Sequence, residues 1–210
     1  MKHISHLSKD KKLKKIIDGQ KPYKLSRRKN IHLDLCSSIM SQQLSTKVAD
    51  IILDRFTKLY DSEPTPEQIL STSHEKLRSI GLSNAKASYV HNVARFAIEN
   101  GIEYDFLDKM NDEEIVEYLT KIKGVGKWTA EMLLMFTLGR EDVFSVDDLG
   151  IQQSMAKLYK LDSKDKKKFR ERLLVISEKW KPFRTYACVY LWRWKDKIVT
   201  ARKENGKATR

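Results

Sequence analysis

The chain has 210 residues and a formal net charge of +13, because 41 lysines and arginines outnumber 28 aspartates and glutamates. This length allows one full domain or two small lobes, the hydrophobic fraction of 40% excludes wholesale disorder, and the positive charge favours a polyanionic partner. The two cysteines are too few for a four-thiolate zinc site, an iron–sulfur cluster or a disulfide framework, and eight glycines with four prolines disfavour an all-β fold.

Apolar residues recur with helical spacing along most of the chain, and no alternating run is typical of a strand. The sequence therefore predicts an all-α protein of about ten helices with short connections. No apolar run has membrane-spanning length and no targeting signal is seen, so we expect a cytoplasmic protein, associated with the nucleoid if the source is bacterial. The predicted helices are, in chain order, 46–60, a short helix from Pro66, 73–81, 83–101, 111–122, a helix from residue 127 to Gly139, 147–159, 164–178, and a last helix from Pro182 that gives way to a basic tail at about 200–210. The predicted N-caps are Ser45, Ser83, Asn111 and Ser145.

A short glycine-rich turn joins two of these helices, within the segment IKGVGKWTA at 122–130. Gly124 and Gly126 allow positive φ angles and the close approach of another backbone, and the amide groups at the start of the next helix favour an anion. An ordinary helix–helix turn with solvated lysines is the better explanation of two glycines alone. Because Lys123 and Lys127 crowd the turn of a strongly basic chain, we expect it to bind DNA phosphates without reading sequence.

Four segments carry motifs in a fixed order: SIMSQQLSTKVADIILDRF at 38–56, GLSNAKASYV at 81–90, IKGVGKWTAEMLLMFTLGREDVFSVDDLGIQQ at 122–153 and EKWKPFRTYACVYLWRW at 178–194. Together they resemble the helix-hairpin-helix DNA glycosylases, and most of all the alkylbase branch of 3-methyladenine DNA glycosylase II, over residues 5–195 or so. The resemblance implies two helical lobes with a DNA-binding cleft between them, one formed by 44–143 with the hairpin and the other by 1–43 and 144–210. It also implies the short form, since too few residues precede the first motif for the N-terminal sheet domain of the long bacterial enzyme.

Two acids, Asp147 and Asp148, follow the second helix of the hairpin, and acids at a helix start usually serve as cap and dipole partners. We assign that task to Asp147, and the resemblance places the catalytic carboxylate at Asp148. A carboxylate there can stabilise the oxocarbenium-like charge that develops on the sugar, and can orient or deprotonate a water. Family members that also nick the abasic strand carry a nucleophilic lysine where this chain has Trp128. The resemblance therefore implies a monofunctional enzyme without AP lyase activity.

The target base must leave the duplex before cleavage, and the resemblance assigns residues both to its pocket and to the vacated space. Trp128 and Trp192 align with two pocket tryptophans, whose electron-rich rings suit a cationic alkylpurine, although core packing explains Trp192 nearly as well. Met132 stands where relatives can carry an aromatic ring, which indicates an altered base preference. Gln43 holds the position of the side chain that is inserted into the duplex, with Leu44 as its neighbour, and a solvated polar turn is the alternative.

Lys86 and the hairpin carbonyls complete the implied DNA contacts. Lys86 opens the predicted helix 83–101, where it is either a phosphate contact or an ordinary surface lysine. Family members bind a monovalent cation through hairpin carbonyls, and the matching carbonyls here belong to Thr120, Ile122 and Val125. The implied reaction requires no cofactor, and the expected structural ion is sodium or potassium.

The sequence leaves three functions open. The first is a monomeric base-excision-repair glycosylase that removes alkylated purines, of the 3-methyladenine and 7-methylguanine class, from double-stranded DNA with a damaged base. The second is a non-enzymatic, structure-specific DNA-binding module, which needs neither Asp148 nor the two tryptophans. The third is a glycosylase for oxidised, deaminated or mismatched bases. The missing four-cysteine cluster disfavours the endonuclease III branch, and the missing hairpin lysine disfavours the bifunctional 8-oxoguanine branch.

Overall fold

The structure is a computed structural model that describes the backbone of residues 1–207 and the side chains of residues 1–197. Within that range it contains thirteen α-helices and no strand, which confirms the all-α prediction. The helices are α1 (Lys2–Leu7), α2 (Lys11–Ile17), α3 (Ile31–Ser41), α4 (Thr46–Thr57), α5 (Pro66–Ser71), α6 (His74–Ser79), α7 (Asn84–Asn100), α8 (Tyr104–Leu107), α9 (Asp112–Leu119), α10 (Lys127–Phe136), α11 (Leu149–Tyr159), α12 (Lys166–Glu178) and α13 (Arg184–Lys207).

The end of the chain differs from its prediction. The last helix begins at Arg184, two residues after Pro182, and its backbone continues to Lys207. The stretch from residue 200 to 207 that we expected to be a tail is therefore helical, while 208–210 lie outside the described residues. No helix in the described part of the chain combines the length and the apolar character needed to cross a membrane.

The contacts divide the chain into two compact units. The hairpin unit comprises Ser26–Leu138, and the terminal unit comprises Met1–Leu25 together with Gly139–Arg210. The expected boundaries at 43/44 and 143/144 are shifted for two reasons. The helix α3 packs against α7, α4 and α10 and so belongs with the hairpin. Residues 139–143 join the terminal unit through hydrogen bonds such as that from Val143 N–H to Thr185 Oγ1 (3.0 Å).

The hairpin unit is built around α7, which packs against α3, α5 and α6. This helix was predicted well, because its signals are local: Ser83 Oγ accepts the Lys86 amide as an N-cap, and Gly101 ends the helix with a φ of 78°. The buried residues of α7 are Ala87, Val90, Val93, Ala94 and Ala97. By contrast, α4 buries Ala49, Ile52 and Phe56 but leaves Val48 and Ile51 of its predicted apolar face 42% exposed.

The terminal unit is built around α13, which packs against α11 and α2. Trp180 and Tyr190 are its largest fully buried side chains. Asp10 joins three elements of this unit, because its Oδ2 accepts hydrogen bonds from Tyr159 Oη (2.6 Å) and Trp180 Nε1 (3.3 Å) while its Oδ1 caps α2. These hydrogen bonds tie the start of α2 to the end of α11 and to Trp180.

Candidate active site and nucleic-acid interface

The hairpin joins α9 to α10 through residues 120–126, and its first helix starts with a capping box between Asn111 and Glu114. Gly124 has a φ of 111°, and a Cβ there would lie 2.3 Å from Cγ of Tyr89. Both the backbone angle and the ring therefore require glycine at this position. Asn92 Nδ2 donates to the Lys123 carbonyl (3.0 Å), which ties the turn to α7.

Gly126 differs from its partner glycine. Its φ is −92°, not the positive angle that the sequence left possible, and a Cβ there would meet no heavy atom within 4 Å. It is the N-cap of α10 and faces open space, so no contact within the protein requires glycine there. Lys123 and Lys127 are both exposed, and Nζ of Lys127 lies 3.8 Å from Oε1 of Glu131.

Asp148 is held at the start of α11 by two N–H donors. Its Oδ1 accepts hydrogen bonds from the backbone N–H of Ile151 and from Trp192 Nε1, both at 2.8 Å, and the residue is only 9% exposed. Asp148 is thus the N-cap of α11. The sequence had predicted Ser145 as this N-cap and, of the two neighbouring acids, had given the capping role to Asp147. That assignment was wrong, because Asp147 points to Arg170 instead and forms an ion pair with it (3.1 Å).

Gly150 and Leu149 belong to this site, although the sequence did not single them out. A Cβ at Gly150 would lie 3.0 Å from Asp148 Oδ1 and 3.0 Å from Cδ1 of Trp192, so any larger residue there would press on both side chains. Leu149, the residue after this carboxylate, is 65% exposed. The sequence did contain one sign of these two residues, because an apolar and then a small residue directly follow Asp148.

Trp128 and Met132 lie one helical turn apart on α10. Trp128 is 45% exposed, whereas Met132 lines a pocket of about 250 Å³ that the hairpin unit forms between α3 and α10. Trp192, the other predicted pocket residue, donates its indole N–H to Asp148, so it has a positioning role that the sequence did not reveal.

The loop that follows α3 presents Gln43 and Leu44 to solvent. Gln43 is exposed with a φ of 58°, an uncommon angle for a residue with a side chain, and Leu44 is 36% exposed. Gln42 lies behind them, and its Nε2 donates to the Gly124 carbonyl and to Thr129 Oγ1, both at 3.4 Å. This contact connects the loop to the hairpin, as expected of a supporting residue.

Lys86 serves the same loop. Its Nζ donates to the carbonyls of Met40 (2.9 Å) and Gln42 (2.7 Å), which have no helical partner at the end of α3. Burial lowers the pKa of Lys86 below its ordinary value. The sequence suggested a phosphate contact or a free surface lysine, and the structure shows instead an ammonium group that holds the Gln43 loop.

The expected cation ligands lie in the hairpin turn. The Ile122 carbonyl accepts the N–H of Val125 (2.9 Å), and a peptide oxygen has a second lone pair available. Among the described residues, no backbone N–H outside a helix donates to the carbonyls of Thr120 or Val125. The three oxygens are therefore chemically suited to a hard monovalent ion.

Comparison with known proteins places the chain in a family. The model of the HhH-GPD superfamily base excision DNA repair proteins matches residues 36–179. The DNA-3-methyladenine glycosylase 1 of Schizosaccharomyces pombe is 35% identical over 195 residues, which are 91% of this chain and 84% of that protein. Because the family model and this relative both span most of the sequence, the chain belongs to the HhH-GPD superfamily.

Two solved structures share the whole fold. The S. pombe 3-methyladenine DNA glycosylase Mag1, in complex with abasic DNA, superposes with a TM-score of 0.79 at 34% identity and covers 92% of this chain and 96% of its own. A DNA-3-methyladenine glycosidase from Bacillus halodurans has a TM-score of 0.81 at 33% identity and covers 94% and 91%. In both cases the similarity covers nearly the whole of the two chains.

Proposed function

We propose that this protein is a monofunctional DNA glycosylase of base excision repair that removes alkylated purines, of the 3-methyladenine and 7-methylguanine class, from duplex DNA. The observation that carries the proposal is the Asp148 carboxylate, fixed at the start of α11 by a backbone amide and the Trp192 indole. Capping α11 requires only the Ile151 contact, whereas the second donor, from Trp192, also fixes the direction of the charge. The membership of the chain in a base excision repair family supports the same function.

Asp148 acts on the sugar after the base has left the duplex. Breaking the N-glycosidic bond develops positive charge on the sugar, and a fixed carboxylate stabilises that charge without having to reorganise. The same group can orient a water or accept its proton as the water attacks. Because Trp192 and Ile151 hold Oδ1 from two directions, the carboxylate keeps one orientation throughout the reaction.

The hairpin lacks the nucleophile of a lyase. Trp128 has no amine that could form a Schiff base with the sugar. Lys127, one residue earlier, projects about 100° away on the helix, and its ammonium pairs with Glu131. The protein therefore releases the base by hydrolysis and leaves the abasic strand intact.

Double-stranded DNA contacts the protein at three places on the hairpin unit. The open N-cap Gly126, with Lys123 and Lys127, binds phosphates; Gln43 fills the space of the flipped base; and Trp128 with Met132 lines the base pocket. A sodium or potassium ion on the carbonyls of the turn would offset repulsion between phosphate and carbonyl oxygens. We place the protein in the cytoplasm as a monomer, working on nucleoid DNA if the cell is bacterial.

Asp148→Asn tests the proposal directly. The variant keeps the size of the side chain but loses its charge, so single-turnover release of methylated purines should fall by about 10²–10⁴. Binding to abasic DNA should change little, because the phosphate contacts remain. Asp147→Asn is the matched control, since it removes the neighbouring carboxylate and should leave excision unchanged. Excision by Asp148→Asn at nearly the unmodified rate would overturn the assignment.

A further inference from the structure

The pocket between α3 and α10 has one polar wall and one largely apolar wall. We propose that this pocket receives the Watson–Crick edge of the flipped base and that Asp34 accepts a hydrogen bond from it, so that the enzyme favours 6-oxopurines, which carry an N1–H, over adenine-type bases. This inference rests on the proposed glycosylase function and names the substrate class of the same site. Met132 connects this pocket to the proposed base site, because it lines the pocket and lies one helical turn after Trp128.

The polar wall is a single face of α3. Four polar residues of α3 line the pocket: Asp34, Ser37, Ser38 and Ser41. The three serines follow Asp34 by three, four and seven positions, which places all four residues on one side of the helix. The opposite wall comes from α10, through Met132, Leu133 and Phe136, with Thr129 at its start. The volume of about 250 Å³ accommodates part of a purine ring. A fold that needed only packing between these helices would place apolar side chains along this face.

Asp34 has an acceptor that the fold does not satisfy. Its Oδ1 accepts a hydrogen bond from Arg28 Nη1 (3.1 Å), while its Oδ2 is buried and accepts none from the described residues. A buried acceptor without a donor is unfavourable, and such a group in a native protein calls for an explanation. Asp34 and its partner Arg28 both line the pocket, so a ligand that enters it meets this carboxylate.

The chemistry of the wall matches one edge of a purine. An ionised carboxylate only accepts hydrogen bonds, whereas a serine hydroxyl donates or accepts as required. A 6-oxopurine such as 7-methylguanine or hypoxanthine presents an N1–H donor beside an O6 acceptor, which suits Asp34 and a serine hydroxyl respectively. An adenine-type base presents its donor at the 6-amino group and a lone pair at N1, so in the same pose its N1 faces the carboxylate unfavourably while the amino group meets the serine hydroxyl. Asp34 therefore discriminates by accepting from the first class and repelling the second.

Two substitutions at Asp34 separate this role from a merely structural one. DNA treated with methyl methanesulfonate contains both 7-methylguanine and 3-methyladenine, so mass spectrometry of the released bases gives both single-turnover rates from one reaction. Asp34→Leu should lower the ratio of 7-methylguanine to 3-methyladenine release by about tenfold, the usual cost of one lost discriminating contact. Asp34→Asn should also lower the ratio, because its amide can donate to the adenine-type N1 as readily as it accepts from the N1–H of a 6-oxopurine.

The control is Asp108→Asn, which breaks the ion pair of Asp108 with Arg27 (2.7 Å) outside the pocket and should leave the ratio unchanged. The ratio is insensitive to the fraction of folded enzyme, since misfolding lowers both rates equally. An unchanged ratio in both Asp34 variants would overturn the inference while leaving the glycosylase function intact. If the unmodified protein releases neither base, the proposed function itself fails, which is a separate outcome.

Discussion

At the scale of single residues, Trp192 shows how the structure changes the meaning of a sequence position. Its alignment predicts a pocket wall, and core packing was the alternative. The indole N–H instead donates to Asp148 at 2.8 Å, and Gly150 is small because both groups occupy the adjoining space. Trp192 therefore positions the Asp148 carboxylate.

Trp192→Phe tests this role, because phenylalanine keeps an aromatic ring and removes only the donor. We expect single-turnover excision to fall about ten- to a hundredfold, the usual range for a hydrogen bond to a charged group. Affinity for abasic DNA should change little, whereas the free energy of unfolding should fall by about 1.5–3 kcal/mol, because a buried carboxylate loses a donor. Trp194→Phe serves as the control, since Trp194 has Lys157 over its ring (5.6 Å) and lies two positions along the same helix. Equal losses in the two variants would argue for a packing role.

Residue roles of this kind could be predicted only in part. Motif and chemistry both predict a catalytic role for Asp148, and that role stays a prediction. Its position as the cap of α11 was not predicted, since either acid of the pair could fill that position. Lys86 was missed because its partners, the carbonyls of Met40 and Gln42, are more than forty positions earlier in the chain. Sequence spacing does not reveal such contacts, so a surface lysine and a structural one look alike.

At the scale of elements, most helices with local signals were predicted well. The caps Ser83 and Asn111 and the terminator Gly101 made α7 and the start of α9 readable. The lysine-rich α2 was not predicted, although its N-cap Asp10 and the helical spacing of Leu13, Ile16 and Ile17 are local signals. Seven residues are too few for such signals to predict a helix on their own.

At this scale the two glycines of the hairpin lead to different predictions. The fold itself requires glycine at position 124, whereas only DNA binding would require it at position 126. Gly124→Ala should lower the free energy of unfolding by at least about 2 kcal/mol, since a positive φ and the Tyr89 ring both oppose a Cβ. Gly126→Asn should leave stability nearly unchanged, because asparagine is a good N-cap and the space is open. Its affinity for DNA should nevertheless fall about tenfold, as a side chain there keeps a phosphate from the helix amides.

Urea denaturation and fluorescence anisotropy on labelled duplex DNA measure the two effects separately. We expect Gly124→Ala to lose stability and Gly126→Asn to lose affinity for DNA while it keeps its stability. If Gly126→Asn bound DNA as tightly as the unmodified protein, the open N-cap would not be the phosphate site. The remaining hairpin lysines would then have to account for binding.

At the scale of the whole molecule, the charge excess and the hairpin make a joint prediction about DNA binding. Each neutralised phosphate releases counterions, so log affinity should fall linearly with log salt concentration, with a slope of about −0.9 per contact. A net charge of +13 is compatible with several such contacts, but charge spread over the surface would give the same total. The slope alone therefore cannot identify the residues that bind.

Substitution of the hairpin lysines resolves this point. Replacing Lys123 and Lys127 together by alanine should make the slope shallower by about 1.8, which corresponds to two lost phosphate contacts. Lys58→Ala removes one charge from the same unit at the end of α4, outside the hairpin turn, so the slope should stay the same. Titrations from low to moderate salt on an undamaged duplex measure all three. An unchanged slope in the double variant, or an equal change in Lys58→Ala, would mean that general surface charge attracts DNA and that the hairpin does not select it.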